Sequence, residues 1–335
     1  MRTAQSPWRR LPASAVGGGI VWLALVASRL GGLTHLTLID LLFLLAPLMI
    51  APLGLALITF DDGLPSSLLA AALRLQPVGA MLAVVAFVLP IGLPAAILAS
   101  AWLLVCVIAA LGALAYLIQG RSLHPVRLAT AAAVGFMAFG AIWLVLSRAG
   151  IAPIGLSPII VEMTAVHFHF TGFAATLMAA LVLGGLREER GTSRRIATLA
   201  ALLMIAGSPV LAAGWATPFH VLQVAGAILV ATGVIAGAAV AFFRSRSLVE
   251  PTPARVLLRA SALAPLLPMM LAVEYSAGHV FGFPTLDIQG MALVHGDLNA
   301  LGFSLLGLVS WSLGRSAYRE TGAVSRSAGR ISLIG

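Results

Sequence analysis

The sequence predicts an all-α integral membrane protein of about ten transmembrane helices in one bundle, with both termini cytoplasmic. Three observations predict it. Of 335 residues, 60% are hydrophobic and only 9% charged, with a mean hydropathy of +1.05, whereas a soluble domain carries roughly 25% charged residues. The apolar residues fall in runs that approach the about 20 needed to span a bilayer. The arginines gather at alternate ends of those runs. This pattern excludes a water-soluble globule, a disordered chain, collagen and a coiled coil.

Reading for long apolar runs broken by Gly, Pro and charge gives ten helices in order. The first, 14–30, follows Arg9 and Arg10 and could pass for a signal peptide, but nothing downstream reads as a secreted domain. The second, 40–59, opens at Asp40. The third and fourth, 76–92 and 94–118, are divided at Leu89-Pro-Ile-Gly-Leu-Pro94, where two prolines allow either a tight turn or a kink. The fifth is 127–147, the sixth 157–186, the seventh 195–214, the eighth 218–243, the ninth 256–278 and the tenth 290–314. Residues 1–13 and 315–335 read as cytoplasmic tails around a 14–314 membrane domain.

The arginines choose between turn and kink. With ten spans and the N-terminus inside, 18 of the 20 arginines lie at cytoplasmic ends, and only Arg29 and Arg148 lie outside. Fusing the third and fourth helices would flip every later loop and destroy that asymmetry. The formal net charge of +9 is therefore topological, and no nucleic-acid partner is expected. There is no lysine for Schiff-base chemistry. The single cysteine, Cys106, sits in an apolar run and allows no intrachain disulfide and no Cys-based metal site.

The same topology sorts the acids. Asp61, Asp62, Glu188, Glu189, Glu250 and Glu320 join the arginine-rich ends, while Asp40, Glu162, Glu274, Asp287 and Asp297 fall in the outer half. So do His35, His220, His279 and His295, with His167 and His169 deeper. An ionisable side chain in a span costs at least about 2.5–3.5 kcal/mol and normally faces a cavity or a partner. In the sixth helix, Val161-Glu-Met-Thr-Ala-Val-His-Phe-His-Phe-Thr-Gly-Phe173 places Glu162 and His169 nearly eclipsed. His167 lies about 140° from the first and about 160° from the second. The two histidines thus face apart. In the tenth helix His295 and Asn299 are neighbours at i and i+4, and Asp297 is expected at the outer mouth or against the positive N-terminal end of its helix.

At Thr164-Ala-Val-His-Phe-His-Phe-Thr-Gly-Phe173 and His295-Gly-Asp-Leu-Asn-Ala-Leu-Gly-Phe303, and more loosely at Ile39-Asp-Leu-Leu-Phe-Leu-Leu-Ala-Pro47, the chain resembles the YndJ-like family of bacterial multi-pass membrane proteins. The resemblance implies membership and the importance of Asp40, His167, His169, His295 and Asn299. It implies no particular activity. The expected location is the bacterial cytoplasmic membrane. Val166-His-Phe-His-Phe170 also looks locally like the His-x-His helix of haem-copper oxidases.

The reading that uses these groups most economically is an intramembrane acid/base enzyme acting on a lipophilic small molecule by cyclisation, isomerisation or epoxide opening, in the manner of membrane terpene cyclases. Alternatives are a haem- or metal-binding protein using the His-x-His helix, and a transporter or structural protein. The expected site is an apolar cavity in the outer half, walled by the second, sixth, ninth and tenth helices. Its catalytic residues are Glu162, Glu274, His169, His295 and Asp40; His167, Asn299, Phe173, Phe303 and Met291 contact substrate. Glu162 or Glu274 stays protonated in the water-poor setting and acts as the acid, and His169 or His295 accepts the returning proton. No metal or cofactor is expected, because His167 and His169 face apart.

Overall fold

The structure is a computed structural model and describes residues 11–60, 62–120, 123–187 and 189–314. The expected tails, Asp61, Glu188, Glu320 and eight arginines (Arg2, Arg9, Arg10, Arg121, Arg315, Arg319, Arg326 and Arg330) lie wholly or mostly outside the described residues. Among the described residues there is no strand. Among the described residues ten helices are long and apolar enough to span a membrane: α1 (Ala13–Leu30), α2 (Leu38–Leu57), α3 (Leu64–Val88), α4 (Leu93–Gln119), α5 (Pro125–Ala149), α6 (Pro158–Gly185), α7 (Thr192–Ala216), α8 (Val221–Phe243), α9 (Thr252–Phe281) and α10 (Ile288–Gly314).

Consecutive helices pack as antiparallel neighbours, most extensively α3 on α4, α4 on α5 and α7 on α8. The centre belongs to α2 and α6, whose most apolar windows are 89% and 83% buried, while α1 lies at the periphery. The turn between α3 and α4 is tight. Gly92 caps α4 with φ 151°, a conformation that favours glycine, and its N–H donates to the carbonyl of Arg148 at 2.9 Å.

Two boundaries differ from the sequence reading. The third helix begins at Leu64 and not near residue 76, because Pro65 sits in its first turn, where a missing N–H costs nothing, and Pro77 is carried inside the helix. Arg74 is therefore an exposed residue about 15 Å along α3 and not a loop residue. The ninth helix starts at Thr252 and is interrupted at Ala264 and Pro265 before continuing from Leu266.

The three helices that carry the sequence motifs share one feature. Each contains π-helical turns: Ala46–Ile50 in α2, Phe168–Ala175 in α6, and Ala292–Gly296 with Leu298–Leu305 in α10. Stretches on all three helices pack against one another inside the bundle. In α2 the cause is legible. The N–H of Ala51 bonds five residues back to Ala46, and in that register the donor for the Pro47 carbonyl is the nitrogen of Pro52, which has no hydrogen. Buried Gln76 on α3 supplies the missing donor, its Nε2 lying 2.7 Å from the Pro47 oxygen.

Candidate functional site

At the end of the bundle where α2 and α6 begin and α5 ends, three charged side chains meet. Asp40, the third residue of α2, is buried and completes a capping box: its Oδ2 accepts from the N–H and the hydroxyl of Thr37 at 2.6 and 2.8 Å. The carboxyl of Glu162, one turn into α6, stands near enough to that of Asp40 for the two to interact. Arg148, in the last turn of α5, approaches Glu162 with Nη2 3.9 Å from Oε2, and the two side chains are only 7% and 14% exposed. Burying even a matched ion pair is costly unless hydrogen bonds complete it. Here Glu162 Oε1 and Arg148 Nε are buried without a hydrogen-bond partner among the described residues.

From Arg148 a column of rings runs down into the bundle. Its guanidinium carbon lies 4.3 Å from the centre of the Phe87 ring, a cation–π contact. Phe87 stacks on Phe43 at 5.2 Å, and Phe43 meets His169 edge to face at 5.0 Å. His169 closes the column. Its Nδ1 donates to the Ala165 carbonyl at 2.8 Å, and its Nε2 accepts from Trp102 Nε1 at 3.0 Å. The carbonyl can only accept and the indole can only donate, so these partners fix the neutral ring with hydrogen on Nδ1. Gly140 lets α5 approach: a Cβ there would stand 2.8 Å from His169 Nδ1.

The two histidines of α6 do face apart, as their angular separation requires. His169 turns to α4 and α2, whereas His167 turns to α10, its ring 6.3 Å from that of His295. Asn299 joins this second group, with Nδ2 2.9 Å from the His295 carbonyl and 3.4 Å from His295 Nε2.

The remaining sequence candidates fall elsewhere. Glu274 is exposed on α9 and is not among the groups that Glu162 meets. Its place two turns from a helix end said nothing about which way it pointed. Phe173 is fully buried, its ring against Gly54. The carbonyl of Phe303 accepts from Ser261 at 2.7 Å, and Met291 is half-buried in the first turn of α10. The cap of α10 is Asp287, whose Oδ1 accepts from Gly290 at 2.7 Å, and not Asp297, which lies more than two turns inside the helix. The expected cavity walled by α2, α6, α9 and α10 has no counterpart in the two cavities described. One is an open groove of about 690 Å³ at the α9–α10 turn, lined in part by Tyr275, His279 and Asp287. The other is an apolar void of about 20 Å³ among α6–α10, beside Met178, Met204 and Phe303. None of Asp40, Glu162, His167, His169 or His295 lines either.

Sequence reasoning missed Arg148, Phe87 and Trp102. The signal for Arg148 was present: it is one of two arginines on the side of the membrane where arginines are scarce. Trp102 and Phe87 are aromatic residues in apolar runs and carry no such signal.

The family model for YndJ-like proteins matches residues 41–303. The chain belongs to the YndJ-like family. Within the matched stretch lie Arg148, Glu162, His167, His169, His295 and Asn299; Asp40 falls one residue before it. This YndJ-like chain is also 26% identical over 181 residues to the uncharacterized membrane protein YndJ of Bacillus subtilis (strain 168). That similarity covers 53% of the chain and spans only 31% of the Bacillus protein's length. No solved structure matches. The YndJ-like chain is thus a multi-pass membrane protein of α-helical architecture, with its buried charge concentrated where α2, α5 and α6 meet.

Proposed function

We propose that this protein performs acid/base chemistry on a lipophilic small molecule, with a proton held between Asp40 and Glu162 as the reagent. The observation that carries the reading is the placing of Glu162 beside both Asp40 and Arg148, with the Arg148 guanidinium 3.9 Å from its carboxyl and little solvent at any of the three. Two interacting buried carboxyls cannot both be ionised without strong repulsion, and one proton held between them turns that repulsion into an O–H to O hydrogen bond. Arg148 balances the remaining negative charge. A proton so placed can be lent to a substrate and recovered by the same pair. Reactions that need nothing more are isomerisation, cyclisation and epoxide opening, and low water content protects their intermediates.

The test compares lipid-soluble extracts of cells carrying the wild-type chain, D40N, E162Q or no copy. Expected is at least one compound whose formation requires the wild-type chain and falls by about 10²–10⁴-fold in E162Q and D40N, while both variants are recovered folded in detergent. Identical extracts from all four strains overturn the reading.

The proposal places the bundle in the bacterial cytoplasmic membrane with both termini inside, on the strength of the arginine distribution. Reporter fusions after Gly120 and Gly191 are then both expected on the cytoplasmic side; fusions reporting opposite sides would refute the ten-span orientation.

A further inference from the structure

The second polar group, on the other face of α6, takes no part in that reading. His167 and His295 reach each other from different helices, with 6.3 Å between ring centres and 30° between planes. Each anchors one nitrogen on the backbone. Nδ1 of His167 lies 2.8 Å from the Met163 carbonyl, and Nδ1 of His295 lies 2.8 Å from the Pro268 carbonyl of α9. Carbonyls only accept, so both Nδ1 atoms carry hydrogen, and a neutral imidazole then keeps its lone pair on Nε2. His167 Nε2 has no hydrogen-bond partner among the described residues, and His295 Nε2 has only Asn299 Nδ2 at 3.4 Å. The same amide nitrogen is held better by the His295 carbonyl, at 2.9 Å. Donation of one ring N–H to a carbonyl or carboxylate, which fixes tautomer and orientation, is the usual arrangement of a metal-ligating histidine.

We propose that His167 and His295 bind one Cu(I) ion through their Nε2 atoms, with Asn299 as a positioning residue. Imidazole suits copper, zinc, iron and nickel, and the number of donors separates them. Zinc sites use at least three protein ligands, whereas among the described residues no three of His, Cys, Asp and Glu form a group that could hold an ion. A monovalent d¹⁰ ion is satisfied by two nitrogens, and a single charge costs less to bury than a double one. Both Nε2 atoms are already unprotonated, so coordination releases no proton and changes no oxidation state. The site also lies where the backbone departs from the α-helix: His167 immediately precedes the π-helical stretch of α6, and His295 lies within that of α10. Such stretches are frequent at functional sites.

The experiment titrates Cu(I) anaerobically into the purified full-length chain in detergent, against the chelator bathocuproine disulfonate. X-ray absorption at the copper edge is recorded on the loaded protein. Expected are one copper per chain, a two-nitrogen first shell with the outer-shell scattering of imidazole, and loss of the site in H167A and H295A. N299A weakens binding by about 10–100-fold, and H279A, at an exposed histidine, leaves it unchanged. Copper surrendered entirely to the chelator, retained equally by H167A and H295A, or bound without imidazole scattering overturns the proposal. Should both alanine variants fail to fold, the spectrum of the wild-type protein decides alone. D40N and E162Q leave copper binding intact, so failure of this site and failure of the carboxyl reading are told apart.

Discussion

Replacing Arg148 by alanine lowers the unfolding free energy by about 3–5 kcal/mol, the usual cost of stranding one partner of a buried ion pair. The measurement is equilibrium unfolding in mixed micelles, followed by tryptophan fluorescence. The cause is specific: Arg148 is the cation facing Glu162, whose carboxyl also interacts with that of Asp40, and removing it leaves two buried acids to each other. E162Q in the same chain therefore recovers much of the loss, because the remaining Asp40 is held by Thr37. R148K falls between, since an ammonium offers no planar face to stack on Phe87. A stability of R148A within about 1 kcal/mol of wild type, the scale of an exposed pair, would show that the three charges are solvated and that the buried cluster is misread.

Replacing His169 by alanine is expected to cost about 3–5 kcal/mol as well, by a different route. It empties the space between Phe43 and Trp102, and large-to-small changes in a packed core cost amounts of this order. It also leaves the Trp102 indole N–H without its acceptor, a loss of about 1–3 kcal/mol on its own. W102F tests the same bond from the other side: it removes the donor and leaves His169 Nε2 without its partner, at the added cost of the space between indole and phenyl ring. G140A presses on the same imidazole from α5 and destabilises in the same direction. The tryptophan emission of H169A shifts as Trp102 loses its partner. If H169A kept wild-type stability while losing the wild-type lipid-soluble product, His169 would be a catalytic group and not a clamp.

Much of the fold was legible because the bilayer imposes it. Ten apolar runs and an arginine asymmetry are global properties, robust to errors of a few residues at any boundary, and even the division at Gly92 followed from charge and not from local propensity. The site was legible in part. Asp40, Glu162, His295 and Asn299 stood out because ionisable and amide groups are rare in spans, and helical arithmetic correctly set His167 and His169 on different faces. It could not say what each face met. Glu162 and His169 share the side of α6 that looks toward α2 and α5, yet they belong to different depths, one with Asp40 and Arg148, the other with Trp102. Glu274 passed the same test of rarity and proved exposed, because rarity in a span does not distinguish inward from outward. Arg148 was set aside as an exception to a rule when the exception was the information.

The π-helical turns of α2, α6 and α10 bear on how such a chain can change over time. A π turn is an α-helix holding one surplus residue. Deleting a residue from Phe168–Ala175 could be absorbed by reversion to the α register, and the span would still cross the membrane with its ladder intact. Because the wider turn takes up its extra residue locally, the side chains on either side of the deletion would keep about their present directions, and both halves of α6 would keep their neighbours. The same deletion in α4, where there is no surplus, would turn every side chain beyond it by about 100° relative to those before it. In α2, α6 and α10, length and aim are therefore separable quantities: these are the places where the chain can gain or lose a residue without losing a helix and without redirecting the residues that follow.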